Sequence, residues 1–185
     1  MTTSSPDSAR PAHEADPVEI TERSYDHPDA MRLVRALYEE QVDRYGFADP
    51  VEADPAMYAP PHGLFLVLYV ADVPSACGGY RPYDLDAAVV EVKKAYTVPN
   101  LRGKGLGRLV LSRLEQHAAR HGARRVILET GVRSDAALAL IQRAGYQPAA
   151  RYVSGRDPAI NRAFLKDLSG PSMPSGRDDR RATVR

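Results

Sequence analysis

The residues with the clearest chemical promise lie between Glu91 and Arg108. Arg102-Gly103-Lys104-Gly105-Leu106-Gly107 sets glycines at alternate positions with a cation on each side of the first. Without Cβ atoms in the way, several backbone N–H groups can turn toward one anion. An apolar-periodic segment, Arg108 to Arg120, begins directly behind. A helix there presents unpaired amides and a positive dipole end, which attract phosphate. The chemistry this pattern suggests is a diphosphate cradle. It lacks the spacing and the Lys-Ser/Thr ending of a nucleotide P-loop, and it reads G-x-G-x-G where a dinucleotide site reads G-x-G-x-x-G. A bare glycine connector is the alternative, disfavoured by the flanking cations and the helix.

The elements that must hold this loop can be read on both sides of it. Val89 to Val98 predicts a strand leading in, and Arg125 to Thr130 predicts a second strand after the helix, which Gly122 closes. Strand, crossover helix, strand is a βαβ unit, so these two strands are expected to be parallel. Upstream, Val18–Arg23 alternates as a strand. Pro28 opens a helix whose stripe of Met31, Val34, Tyr38, Val42 and Tyr45 faces a core and whose end is Gly46. Leu64–Val70 and Ala76–Arg81 predict a hairpin turning at Asp72–Ser75, with Gly78-Gly79 marking a bulge or a close backbone approach. Consecutive strands with hairpin spacing make an antiparallel first half. Phe47–His62, with four prolines, is too irregular for an element and long enough to border a site. Downstream, Ser134 is the expected N-cap of a helix ended by Gly145, and Arg151–Val153 and Ala159–Leu165 are expected as short late strands.

Composition limits the partners. At 185 residues, one domain over 18–168 is expected, with disordered tails at 1–17 and 169–185. Twenty-five basic residues balance twenty-four acidic ones, so no global field argues for nucleic acid or an anionic membrane, and an anion site must be local. The longest apolar run, Leu64–Ala71, is too short to span a bilayer. The lone Cys77 has no disulfide partner within the chain, and no Cys or His pairs show metal spacing, which predicts a cytoplasmic protein without a metal. His117 and His121 lie four apart on a helix but lack a third ligand.

The pattern R-x-x-G-x-G at Arg102–Gly107, preceded by Glu91-Val92-Lys93-Lys94-Ala95-Tyr96-Thr97-Val98-Pro99, resembles the acetyl-CoA motif of the GNAT N-acetyltransferase superfamily. Leu128-Glu129-Thr130-Gly131 and Ala137 to Tyr146 resemble that family's following strand and helix. The likeness covers roughly Val18 to Leu168. It implies an α/β (α+β) GNAT fold: a mixed sheet, antiparallel first, with two splayed parallel strands holding acetyl-CoA and helices on its flanks.

The resemblance also implies roles. Gly103, Lys104, Gly105, Leu106, Gly107 and Arg108, with the charge of Arg102, would hold the pyrophosphate. Backbone groups of Tyr96, Thr97 and Val98 would pair with the pantetheine arm as an added strand pairs with a sheet edge. A lysine-like amine with pKa of about 10.4 is neutral in about one molecule in 2,500 at pH 7, a cost of about 4.6 kcal/mol that a general base relieves. Glu91, on the motif strand where several members place a base, is the candidate, and strand alternation puts it on one face with Lys93, Ala95 and Thr97. Structural pairing with Lys93 or a cross-strand cation is the alternative. The helix position that commonly supplies a tyrosine acid carries Ile141. Tyr152 or Tyr146 could substitute, or solvent could protonate the thiolate. Ser134 stands where an asparagine commonly contacts the cofactor. Arg81, Tyr83 and Asp84 could line an acceptor pocket.

The activity implied is direct acetyl transfer from acetyl-CoA to a primary amine, a small molecule being favoured over a protein amine, with a homodimer left open. Cys77 has no activating partner for a covalent route. A non-catalytic acyl-CoA-binding regulator is the rival reading, and a nucleotide-binding protein is a third.

Overall fold

The computed structural model describes residues 16–83 and 86–168. The expected tails, apart from Asp16 and Pro17, lie outside the described residues, as does Asp84. Strand β1 (Val18–Glu22) leads into helix α1 (Pro28–Tyr45). Pro28 sits in the first turn, where its missing N–H is not needed, and the His27 ring accepts the Asp29 N–H at 3.2 Å. Gly46 ends the helix at φ 81°, in the left-handed region that side chains with a Cβ avoid. The chain continues through β2 (Leu64–Val70), β3 (Val73–Tyr83), β4 (Asp86–Thr97), α2 (Leu106–Arg120), β5 (Arg125–Gly131), α3 (Asp135–Arg143), β6 (Gln147–Ala149) and β7 (Asn161–Asp167).

The seven strands form one mixed sheet in the order β1-β2-β3-β4-β5-β7-β6. Neighbours are antiparallel from β1 to β4, β4 and β5 are parallel, and β7 is antiparallel to both β5 and β6. The fold is the α/β arrangement expected, with the antiparallel half first. Both faces are covered, which explains why β2 is a continuous apolar run rather than an alternating one. Leu64, Leu66 and Leu68 pack with Val90, Val92, Val126 and Leu128 under Val110, Leu111 and Leu114 of α2 and Ile141 of α3. Phe65, Val67 and Cys77 face the other way, against Ala30, Leu33 and Val34 of α1 and the rings of Tyr25 and Tyr58. Each fully buried aliphatic side chain of this kind contributes roughly 1.5–3 kcal/mol.

Three expected segments are redrawn. The β2–β3 turn is tighter than Asp72–Ser75: Val70 pairs with Val73, and Ala71 and Asp72, at φ 46° and 62°, make a two-residue turn whose twist suits a hairpin. Pro74 and Ser75 therefore belong to β3, where a register shift beside Leu68 and Tyr69 accommodates them. Arg81-Pro82-Tyr83, expected as a loop, also continues β3. The strand expected at Arg151–Val153 forms instead at Gln147–Ala149, because the chain enters the sheet directly after Gly145 and pairs with β7. Phe47–His62 contains one short 3-10 turn, Pro55–Tyr58.

Candidate active site

Among the described residues, β4 and β5 pair in register through Val89, Val90 and Glu91 with Arg125, Val126 and Ile127. Beyond Glu91 and Ile127 the strands part, and a cleft of about 820 Å³ opens between them. It runs from the glycine loop, past Lys93 to Thr97, to Glu129, Thr130, Asp49, Arg156 and Asn161 at its far end.

The loop is built as an open cradle. Gly103 and Gly105 adopt φ 79° and 84°, and no atom lies within 4 Å of where their Cβ atoms would stand. Helix α2 begins at Leu106, two residues earlier than the spacing suggested, so Leu106, Gly107 and Arg108 supply the free amides of its first turn. Gly107 serves packing as well: a Cβ there would meet Thr97 Oγ1 at 3.3 Å and Leu140 Cδ2 at 3.4 Å. These features fit a diphosphate held by backbone N–H groups.

Arg102 is already engaged. Its Nε donates to the Thr97 carbonyl at 2.9 Å, its guanidinium meets Glu40 of α1 at 2.5 Å, and it lies 5.5 Å above the Tyr96 ring. Burial works to raise the Glu40 pKa, but the pairing with Arg102 and Arg44 outweighs it and leaves the carboxyl below its ordinary value. The Val98 N–H is likewise taken, by the Ser75 carbonyl at 3.0 Å, so it is not free for an added strand.

Ser134 stands at the start of α3, but its hydroxyl does not cap the helix as expected. It receives Arg44 Nη1 at 3.1 Å and lies 3.1 Å from the Tyr45 hydroxyl, which also accepts the Arg133 N–H at 3.0 Å. A Cβ on Gly131 would strike the Tyr45 ring, so glycine is needed for this approach. The last turns of α1 thus touch both the glycine loop and the start of α3.

At the far end the side chains form a charged network. Glu91 is 3% exposed. Arg81, its cross-strand neighbour, meets Oε2 through Nε at 2.9 Å and Nη2 at 2.8 Å, the Tyr152 hydroxyl donates to Oε1 at 3.2 Å, and Lys93 Nζ lies 3.6 Å from Oε1. Neither Glu91 nor Tyr152 is among the residues lining the cleft. Burial, then the charges of Glu91 and Glu129, raise the Tyr152 pKa, so its phenol stays protonated. Tyr152 also packs edge-on against Tyr83 at 5.3 Å.

Asp49, Glu129 and Arg156 escaped sequence reasoning. Asp49, in the proline-rich loop, accepts Lys93 Nζ at 2.8 Å and pairs with Arg156 from the segment after β6. Burial would raise its pKa, but the two cations outweigh this and bring it from 3.8 to about 2. Glu129 is 8% exposed at its side chain. Its Oε2 lies 3.6 Å from Arg156 Nε, while Oε1 is buried without a hydrogen-bond partner. Burial holds its pKa above the ordinary glutamate value, with Arg156 and Lys93 opposing. The usable signal in the sequence was phase. Val126 and Leu128 face the α2 side, so Glu129 shares the opposite face with Ile127, the partner of Glu91.

The phase of β4 corrects one expectation. Gly79 pairs with Lys93 and Cys77 with Tyr96, so β4 carries an extra residue there, with Lys94 at φ 57°. Tyr96, rather than Ala95 and Thr97, therefore shares the face of Glu91 and Lys93. The bulge expected at Gly78-Gly79 is real, but the surplus residue lies across from it.

The remaining candidates stand apart. Tyr146 is buried in the core, with Lys166 Nζ 5.5 Å from its ring centroid. Cys77 is fully buried, its thiol donates to the Lys94 carbonyl at 3.4 Å, and burial pushes its pKa up. His117 bonds the Tyr80 hydroxyl at 2.7 Å and stacks on His121 at 4.0 Å. Among the described residues no group of three or more His, Cys, Asp or Glu could hold a metal ion, and no helix is long and apolar enough to cross a membrane.

Comparison with known proteins converges on this geometry. The chain is 33% identical over 112 residues to an IAA acetyltransferase of Azospirillum brasilense, covering 58% of this chain and 72% of that one. It is 33% identical over 130 residues to the uncharacterized N-acetyltransferase YjgM of Escherichia coli K12, covering 66% and 77%. An aminoglycoside 6'-N-acetyltransferase solved with coenzyme A superposes with a TM-score of 0.63 at 12% identity, over 83% of this chain and 98% of its own, a likeness of fold. The profile of the Acetyltransferase (GNAT) family matches residues 34–146, from within α1 to the end of the α3 segment. With its splayed parallel strands and open glycine cradle, this chain belongs to the acetyltransferase (GNAT) family and is an acetyltransferase.

Proposed function

We propose that the protein transfers an acetyl group from acetyl-CoA directly to a primary amine, with a small molecule favoured over a protein amine as acceptor, in the cytoplasm. The observation that carries this reading is the continuous cleft that joins the open Gly103–Gly105 cradle to a charged far end between β4 and β5. Acetyl-CoA supplies a thioester carbon that an amine can attack. The chain supplies the rest. Amides of Leu106, Gly107 and Arg108, with Lys104 and Arg108 as cations, would hold the diphosphate. Tyr96 and Thr97 line the path of the pantetheine arm.

At the far end, Asp49 fastens the proline-rich loop to Lys93 and Arg156, so side chains from separated segments enclose the acceptor space. Such a charged end, lined by side chains from separate segments, suits a small amine better than a folded surface. Glu91, braced by Arg81, Lys93 and Tyr152, stands behind it as a fixed carboxylate. Tyr152, expected as a proton donor, holds its proton against Glu91 outside the cleft, so solvent is left to protonate the leaving thiolate. Cys77, whose thiol is buried and donates to the Lys94 carbonyl, supports transfer without an acetyl-enzyme.

The test is calorimetry with coenzyme A, followed by thiol release from acetyl-CoA across a panel of phenethylamine, spermidine, kanamycin, L-methionine and a tripeptide with a free N-terminus. Saturable coenzyme A binding and acceptor-dependent thiol release, with no acetylated protein in the intact mass, are expected. Binding without release for any amine would refute the reading.

A further inference from the structure

We infer that the protein also uses acyl-coenzyme A donors longer than acetyl, namely propionyl- and butyryl-CoA, with the chain seated in an apolar recess on the α2 side of the sheet. The inference rests on acyl transfer to an amine as proposed above and adds the class of donor. Where β4 and β5 part, the cleft runs between two unlike walls. Lys93, Asp49, Glu129 and Arg156 line it on the side of the sheet that carries Glu91. Val92 of β4, Leu128 of β5, Leu111 and Leu114 of α2 and Ile141 of α3 line it on the other. Strand alternation keeps the walls apart, since Val92 and Leu128 each stand one position before a charged residue of the opposite face.

The five apolar side chains border the cleft, yet each is at most 5% exposed. The cleft therefore reaches to a depth from which bulk water is nearly excluded. Aliphatic groups from four elements offer a water molecule no polar partner there, so the recess favours hydrocarbon over water. An acetyl group brings one methyl to this wall. Propionyl and butyryl bring one and two methylenes more, and each fully buried methylene strengthens binding about fourfold. A chain of similar length that ends in a carboxylate finds no partner among these five side chains and loses its hydration.

The two walls also order the reaction. A thioester held between them meets the amine from the charged side while its chain lies on the apolar side. The lone pair of the neutral amine forms the bond to the acyl carbon, and the carbon–sulfur bond breaks with its electron pair on sulfur. The proton that nitrogen loses passes to water, and the thiolate takes one from water. Chain length alters none of these steps, so it is read in donor binding and in kcat/KM.

The experiment is calorimetry of the full-length protein with acetyl-, propionyl-, butyryl- and succinyl-CoA, followed by thiol release from each donor with the amine panel above. Relative to acetyl-CoA, the dissociation constant should fall about fourfold for propionyl-CoA and about fifteenfold for butyryl-CoA, with a heat-capacity change that grows more negative along the series. Succinyl-CoA should bind more weakly than butyryl-CoA by at least tenfold. Ile141→Phe, which fills the recess, should lower the butyryl-to-acetyl ratio of kcat/KM by about tenfold or more, and Leu111→Ala, which enlarges it, should raise the ratio of hexanoyl- to butyryl-CoA. Should Ile141→Phe misfold, Leu111→Ala and the wild-type series decide. Affinities within twofold from acetyl- to butyryl-CoA, succinyl-CoA bound as tightly as butyryl-CoA, or a wild-type kcat/KM for butyryl-CoA below one tenth of that for acetyl-CoA would each overturn the inference. Those outcomes leave amine acetylation standing. A protein that binds the donors in the expected order and acylates no amine keeps the recess and removes the proposed function instead.

Discussion

Asp49→Asn tests the charged end of the cleft most directly, because it removes the one carboxylate that Lys93 and Arg156 share while nearly preserving shape. The Asp49 pKa falls from 3.8 to about 2 on folding. At about 1.4 kcal/mol per tenfold change in proton affinity, that difference corresponds to about 2 kcal/mol of stability. Since the folded value is depressed, the contribution is fully present above pH 3.8 and is lost as pH falls toward 2. The substitution also leaves Lys93 and Arg156, 17% and 22% exposed at their side chains, without their shared partner. That penalty brings the expected loss to about 2–3 kcal/mol at pH 7. Urea denaturation of both proteins at pH 7, 4.5 and 3 reads it. The difference should be equal at pH 7 and 4.5 and smaller at pH 3. A loss under about 0.5 kcal/mol at pH 7, or one that does not shrink at pH 3, would show that Asp49 is a solvated loop residue rather than a clamp.

Two further perturbations address the sheet and the cradle. A Cβ at position 79 would lie 2.5 Å from Phe65 Cδ2 and 2.8 Å from the Leu64 carbonyl oxygen, so Gly79→Ala should cost about 2–3 kcal/mol in urea unfolding, and a neutral effect would contradict this packing. Glu40→Gln removes the carboxylate that holds Arg102, so its guanidinium becomes available to the diphosphate. Coenzyme A affinity should rise about three- to tenfold by calorimetry, and should fall if Glu40 instead positions Arg102 for binding.

Local rules made most of the scaffold legible. Pro28 and Gly46 mark the ends of α1 because a missing N–H and a left-handed φ are tolerated only there. The glycine loop, α2 and β5 follow from period and punctuation alone, and their order implies parallel strands. The strand at Gln147–Ala149 was not visible, because its pairing with β7 decides it and no local signal in three residues does. The β2–β3 turn is shorter than local signals predict for a related reason: Ala71 and Asp72 take positive φ under the demands of strand register. Likewise, the single extra residue in β4 shifts Thr97 off the face of Glu91, which alternation by itself cannot reveal.

The division is sharpest in the site. By itself the sequence determined the glycine loop and the helix start behind it, since the N–H groups proposed to hold an anion are contiguous and depend only on glycine and a helix N-terminus. Only the tertiary structure decided the charged end, where Asp49, Glu91, Glu129 and Arg156 converge from a loop, two strands and the segment after β6. That Glu91 is paired with Arg81 and Tyr152 while Glu129 Oε1 is buried without a hydrogen-bond partner among the described residues depends on distances between residues remote in the chain. Burial and pairing set a carboxylate's proton affinity, and both arise only when those segments meet.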